Sequence, residues 1–401
     1  MKGICLRFNA GVEYKGKIYA STIGINGLFE LDLETKTIEY IKRFSKEKAC
    51  FAIHRCAFLY GKEAWFIPQN GKYISVVNLD TMEIEYLKPP YRRINEDSVS
   101  RINAVYYSGN IIKGRFLYLI PANIDAMLLI DLETKKMYPY YDVSKQEDYH
   151  AYGEYENGCI YLFPFNGNRI LEVELRTNRR RKLPWRYPVD KYGEIVKCNN
   201  KFWFAPLNAD HILVLDLQTG EKEKIHLNEY YSVDCLYEQI ICLGSTMLLV
   251  PFQADKILML DVKSKQLSAT YLSDDLLNQG KNGFTKIYSE NNIILASYSK
   301  NVVLIYDRKK EDFRILKLGI ELEGLVNAVR QEKNDENWDL EKFFWKDFDF
   351  SNMFYDEEHL SVDNYIRFIP IKQDRNKDLA NVIRTIGMDI WDIVGSDIRG
   401  D

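Results

Sequence analysis

The chain has 401 residues, a net charge of −4 and 46% hydrophobic residues, and no stretch approaches the roughly 20 apolar residues that span a bilayer, which argues against a membrane protein. Its start has no long apolar run or small-residue cleavage site, and its seven cysteines contain no CxxC pair, so reduced thiols in a cytoplasm are expected. Residues 319–401 carry 19 acidic and 10 basic residues, against 39 and 44 in 1–318, so an acidic tail docked on a mildly basic body is expected and a nucleic-acid groove is not.

One pattern recurs along the chain. Take as anchors Asp32, Asn78, Asp131, Glu174, Asp216, Asp261 and Asp307, as in "ILVLDLQTG" around Asp216; the intervals are 46, 53, 43, 42, 45 and 46 residues. Ten residues before the anchors stand Thr22, Pro68, Pro121, Pro164, Pro206, Pro251 and Ser297. A short apolar run precedes each proline ("AWFI", "LYLI", "YLF", "FWFA", "MLLV"), and proline ends the ladder of that strand. A polar turn follows ("QNGK", "ANID", "FNGN", "LNAD", "FQAD"), rich in residues that tolerate left-handed angles. The anchor strand, a second turn and a polar strand such as "EKEKIHL" come next, and a further strand precedes each unit. Four antiparallel strands per repeat, seven times, predict an all-β seven-bladed β-propeller over 1–318.

The "VxVxDxxT" pattern at this period resembles the YVTN-type propeller repeat, and "DLQTG" is similar to quinoprotein repeats. The tryptophan that quinoprotein repeats carry just afterwards is missing, with Ile225 nearby, so no quinone cofactor is expected. The kelch and WD40 signatures are also missing. The resemblance holds at the level of the repeat and implies a fold, not an activity. Blade 1 is expected to begin near Lys2–Phe8 and blade 7 to end at Phe313–Leu318, each built in chain order, with blade 1 packing on blade 7. A register in which the C-terminal part donates a closing strand stays open.

Candidate site residues follow from the repeat. Turns between second and third strands ring the channel of a propeller, and here they carry Asn26, Asn70, Asn123, Asp125, Asn166, Asn168, Asn208, Asp210, Gln253, Asp255 and Asn301. These residue types form the hairpin whatever the function. Fourteen residues before the proline register lie Phe8, His54, Tyr107, His150, Tyr192, Tyr237 and Gly283, with Phe284 next. Arg55, Glu194 and Glu238 lie beside them. The candidate ligand site is therefore His54, Arg55, His150, Tyr192, Glu194, Tyr237 and Glu238, an aromatic pocket with polar handles suited to a saccharide or peptide-like ligand. Packing of the same rings at the wide end of the channel is the competing reading. Catalytic use would take His54 or His150 as a base, or as ligands of a divalent metal, as in some seven-bladed lyases of similar architecture; no cofactor is expected otherwise. His211, His226 and His359 read as isolated, structural or exposed. No HExxH, HxH, GxSxG or phosphate-loop pattern occurs.

The basic run "RTNRRRKLPWR" (Arg176–Arg186) is placed on the turn between third and fourth strands of blade 4, as a solvated turn or a dock for the acidic tail or an anionic partner. Beyond Leu318 the period changes. Residues 319–401 read as an acidic, aromatic-rich helical extension packed on the propeller. Within it "KDLANVIRTIGMDIWDIV" is amphipathic, so 377–394 is a candidate for self-association or for a partner. The expected function is a non-enzymatic ligand- or protein-binding scaffold. The alternative is a lyase or hydrolase at the channel mouth.

Overall fold

The structure, a computed structural model, describes residues 6–23, 25–47, 52–90, 107–121, 126–142, 150–164, 169–186, 192–232, 236–272, 283–297, 300–321 and 325. Seven four-stranded antiparallel sheets follow one another in chain order, each built from four consecutive strands. They span residues 8–42, 54–87, 107–142, 150–186, 195–226, 236–271 and 284–317 and are called blades 1 to 7. Blades 1 to 3 and 7 belong to one compact unit, and blades 4 to 6 to another. Of the expected helical extension over 319–401, only 319–321 and 325 are described, and Gly319–Ile320 is a strand rather than a helix; the rest, including 377–394, lies outside the described residues.

The anchor residue owes its recurrence to the turn between third and fourth strands. The Oδ1 atoms of Asp32, Asn78, Asp131, Asp216, Asp261 and Asp307 each accept the backbone N–H groups two and three residues on. At Asp216 these bonds come from Gln218 at 2.8 Å and Thr219 at 3.1 Å. The seventh anchor, Glu174, instead accepts the Thr177 hydroxyl at 2.6 Å. Four residues after every anchor the backbone turns left-handed, at Lys36, Met82, Lys135, Asn178, Gly220, Lys265 and Glu311, with φ between 53° and 75°. This is a type I turn closed by a left-handed residue, which sets the register of the two flanking strands.

The strands differ by exposure. Second strands such as Glu63–Pro68 and Cys159–Pro164 are buried at every position but the first. Fourth strands such as Leu267–Tyr271 and Asp312–Lys317 are half-buried or exposed. A strand covered on both faces reads as a continuous apolar run. That is the origin of "AWFI" and "YLF". The buried clusters lie between neighbouring sheets: blades 1 and 2, 2 and 3, and 7 and 1 in the first unit, and blades 4 and 5, and 5 and 6 in the second.

The proline register is paired as the spacing implies. His54 lies opposite Pro68, Tyr107 opposite Pro121, His150 opposite Pro164 and Tyr237 opposite Pro251. Phe8 faces Thr22, and in blade 7 it is Phe284 that faces Ser297. A register shift accompanies the pair in blades 1 to 4 and 6. Proline has no N–H to give its neighbour, which accounts for the irregularity in blades 2, 3, 4 and 6; in blade 1 it occurs opposite Thr22, and in blade 6 pairing resumes at Gln253.

Blade 7 meets blade 1 as expected. Glu13 N donates to Tyr288 O at 2.7 Å and Tyr288 N to Gly11 O at 3.0 Å, and Leu6 N donates to Asn301 Oδ1 at 2.9 Å. The chain then adds a short fifth strand, Gly319–Ile320, parallel to Thr37–Lys42 of blade 1. The blades are made in chain order, and the two-residue strand is added as a fifth to a complete first blade rather than replacing one of its four strands. Leu325 is buried in the cluster between blades 7 and 1.

Close approach of two blades explains one glycine. A Cβ on Gly193 would stand 2.2 Å from the Glu238 carbonyl oxygen, and Glu194 N donates to that same oxygen at 2.6 Å. Gly193→Ala is expected to destabilise the blade 5–blade 6 junction by about 1–3 kcal/mol through overpacking, read as a lower urea midpoint. At the anchor turn, Asp216→Ala is expected to cost about 1 kcal/mol. Asp216→Asn should cost less, because Asn78 fills the same role in blade 2. The Thr219 N–H, opposed by partial burial and aided by the Gln218 N–H, holds the Asp216 carboxyl below its usual range. The turn therefore stabilises the fold above the ordinary carboxylate range and loses that contribution as pH falls through the lowered value; Asp216→Asn should remove it.

Candidate functional site

The sequence-derived set divides between the two units. His54 and Arg55 belong to the first; His150, Tyr192, Glu194, Tyr237 and Glu238 belong to the second. His54 opens the first strand of blade 2 and has no exposed surface. Its ring packs edge-on against Phe44, with centroids 4.6 Å apart, and lies 5.2 Å from Phe66. Nε2 lies 3.4 Å from Ser75 Oγ, and Nδ1 has no partner among the described residues. Burial pulls the His54 pKa down to about 3, so the ring is neutral and enclosed. In this placement it packs, and it lacks the access a base or an open metal ligand needs. Arg55, next to it, is half-buried.

The other register rings are also packed. Phe8, Tyr107, Tyr237 and Phe284 are at most 3% exposed and Tyr192 is 7% exposed. Tyr237 donates its hydroxyl to Lys256 O at 3.3 Å. Glu194 is half-buried and its Oε2 accepts Ile240 N at 3.3 Å, tying blade 5 to blade 6. Glu238, also half-buried, enters that junction through its backbone oxygen. The backbone of His150 opens the first strand of blade 4; its side chain lies outside the described residues. The register was legible, and its rings are buried wherever they are described.

Tyr192 leads to a group that the sequence reading left apart. Its hydroxyl lies 2.7 Å from His211 Nε2. His211 Nδ1 lies 2.5 Å from Asp210 Oδ1, and His226 Nδ1 lies 3.5 Å from Asp210 Oδ2. Asp210 closes the turn between second and third strands of blade 5; His211 opens the third strand (His211–Asp216) and His226 ends the fourth (Lys222–His226). The ladder sets His211 directly opposite His226. His211 is buried, whereas the Asp210 and His226 side chains are 55% and 54% exposed. The hydrogen bond from His211 holds the Asp210 carboxyl below its usual range, against a small opposing effect of burial. The two histidines expected to be isolated are therefore joined through one carboxylate. The anchor carried the missing signal: the Asp216 turn fixes which residue of the fourth strand faces His211.

Blades 5 and 6 also expose aromatic rings. Tyr231 is 41% exposed and Tyr271 is 66% exposed. Lys256 Nζ lies 5.1 Å from the Tyr271 ring centre and 6.0 Å from that of Tyr230. Elsewhere in the same unit a groove of about 440 Å³ runs between blades 4 and 5. Its charged walls are already paired: Lys197 with Glu156, and Arg181 with Glu172 through two hydrogen bonds of 2.6 and 3.0 Å. The basic run begins on a turn, but Arg179–Arg186 forms the fourth strand of blade 4, which corrects its placement on the turn alone.

In sequence, no protein-family model matches the chain, and no curated protein matches it. In structure, the chain is similar to a catalytically inactive variant of virginiamycin B lyase from Staphylococcus aureus with quinupristin, at 15% identity and a TM-score of 0.56, over 74% of this chain and 94% of that one. It is also similar to PorZ, a surface component of the type-IX secretion system of Porphyromonas gingivalis, at 11% identity and a TM-score of 0.54, over 80% of this chain and 39% of that one. A third is the extracellular domain of a hybrid two-component system from B. thetaiotaomicron, at 15% identity and a TM-score of 0.52, over 73% and 39% of the two chains. The chain has the seven-bladed β-propeller fold. That likeness shows the fold alone, since it spans an enzyme and proteins of other kinds. No helix among the described residues is long and apolar enough to cross a membrane.

The buried groups around His54 predict an opposed pH response. Glu47, 4% exposed, accepts Lys72 N at 2.8 Å and Tyr73 N at 2.7 Å. Burial raises its pKa to about 7, despite those bonds. A raised carboxyl contributes stability below its ordinary value and loses it as pH rises towards 7; the depressed His54 contributes stability above its ordinary value and loses it as pH falls. Between about pH 4.5 and 6.5 the two slopes oppose each other. Glu47→Gln should therefore make stability rise more steeply with pH across this window, measured as urea midpoints, and His54→Gln should do the reverse.

Proposed function

We propose that this chain is a non-enzymatic binding propeller whose partner is a protein segment received on the rim of blades 5 and 6. The observation that carries this reading is the exposure of Tyr271 with Lys256 set over its ring. A rigid tyrosine offers large contact area at low entropic cost, and exposed aromatic anchors beside a cation are the residues that dominate binding energy in protein interfaces. Tyr231, at the end of blade 5, is a second exposed ring, and Lys256 is itself held by Asp255 at 3.2 Å. The described cysteines Cys56, Cys159, Cys198 and Cys242 are free thiols, which agrees with a cytoplasmic setting. Self-association through 377–394 remains part of the proposal and concerns a different surface.

A second reading has its own observation. Tyr192, His211 and Asp210 form a hydroxyl–imidazole–carboxylate relay of the kind that moves protons in lyases and hydrolases. It would serve a saccharide or peptide-like substrate, with Tyr192 in the role first sought at His54 and His150. The burial of Tyr192 places this reading second, because a reacting hydroxyl must reach its substrate.

The test is an affinity capture from native lysate with the full-length protein and with Tyr231→Ala/Tyr271→Ala. A stoichiometric partner is expected on the parent and at least tenfold less on the double variant, with both proteins melting alike. Equal capture by the two would reject the rim, and loss only on removal of 319–401 would move the interface to the tail.

A further inference from the structure

The joined group in blade 5 has a chemistry that neither a hydrogen-bonded turn nor the tyrosine rim accounts for. Asp210, His211 and His226 each present one ligating atom, and the three atoms lie within 4.8 Å of one another. Two imidazole nitrogens and one carboxylate oxygen gathered this closely are a donor set for a first-row transition ion. Hard cations such as Mg²⁺ prefer oxygen cages and retain their water. The backbone preorganises the set: His211 and His226 are held opposite each other by the ladder, and the backbone of Asp210 accepts Leu227 N at 2.9 Å. The group is therefore pinned on both sides of the hairpin.

We propose that Asp210, His211 and His226 form a divalent transition-metal site, with Zn²⁺ as the fitting ion and Tyr192 as the positioning residue. His211 supplies the nitrogen that faces Asp210. Its other nitrogen lies 2.7 Å from the buried Tyr192 hydroxyl. A metal-bound imidazole characteristically donates its remaining N–H to an oxygen, which fixes tautomer and ring orientation, and Tyr192 is that oxygen. With Nδ1 on the metal, Nε2 would carry the ring N–H and donate a hydrogen bond to the tyrosine oxygen. The half-exposed Asp210 and His226 leave the outward coordination positions to water or to a donor from a partner. The site does not depend on the proposed partner, and its test reads the metal alone.

The experiment is isothermal titration of the metal-free, tag-free full-length protein with Zn²⁺, in parallel with Mg²⁺, and a Co²⁺ titration followed by visible absorption. One Zn²⁺ per chain, negligible Mg²⁺ binding and a Co²⁺ ligand-field band are expected. His226→Ala and Asp210→Asn change exposed side chains, and each should lower Zn²⁺ affinity at least a hundredfold while the metal-free melting temperature stays put. Tyr192→Phe should keep the stoichiometry and weaken affinity by about tenfold, with an altered Co²⁺ band as the mark of a reoriented imidazole. No Zn²⁺ binding, or binding that both His226→Ala and Asp210→Asn leave unchanged, would overturn the site. Preferential Mg²⁺ binding would overturn the donor assignment, and a Tyr192→Phe protein identical to the parent in affinity and spectrum would remove the tyrosine from it.

Discussion

The fold rests on one small electrostatic device used repeatedly. At the end of the third strand in six of the seven blades a carboxylate or amide oxygen gathers two backbone N–H groups of the next turn, and in all seven a left-handed residue follows. In six blades the acceptor is the Oδ1 of Asp or Asn. In blade 4, Glu174 has one methylene too many for the same geometry and works through the Thr177 hydroxyl. Because a strand has a period of two, a turn that fixes register also fixes which side chains enter the core. A lost register would expose the apolar set that the middle strands bury.

That constraint explains why a pattern of seven anchors could be read through to pairs of residues. The distance from anchor to proline register, and from there to the first strand, became a set of observed partners: His54 with Pro68, Tyr107 with Pro121 and Tyr237 with Pro251. The meaning of the register was less legible. Rings at equivalent positions suit either a ligand pocket or a packed layer, and composition does not separate the two. His54 shows the deciding physics. Phe44, from the connection between blades 1 and 2, and Phe66, from the adjacent strand, close over it, and desolvation keeps the imidazole neutral. Glu47, from the connection between blades 1 and 2, is buried against the backbone of a hairpin about 25 residues away. Nothing in its local sequence announces that environment.

The blade 5 group shows the reverse case, in which the sequence held a signal that was not used. His211 stands five residues before the anchor and His226 ten after it, and the anchor turn makes positions with those offsets face each other. In sequence Asp210 reads only as a turn former, a role it shares with the polar residues of the other blades. What joins it to both histidines is the side-chain geometry at the end of the hairpin. Tyr192 approaches from before the first strand, so its contact with His211 spans the blade and has no short-range signature.

By itself the sequence determined the repeat, the four-strand blade, the strand that is buried on both faces and the register of the turns, because these depend on local backbone chemistry and on a period of two. Tertiary structure decided which of the equivalent aromatic positions are packed, how blade 7 meets blade 1, the short parallel strand at Gly319–Ile320, and the meeting of Tyr192, Asp210, His211 and His226. Those outcomes depend on burial and on contacts between residues far apart in the chain, where the same side chain has opposite roles according to what covers it.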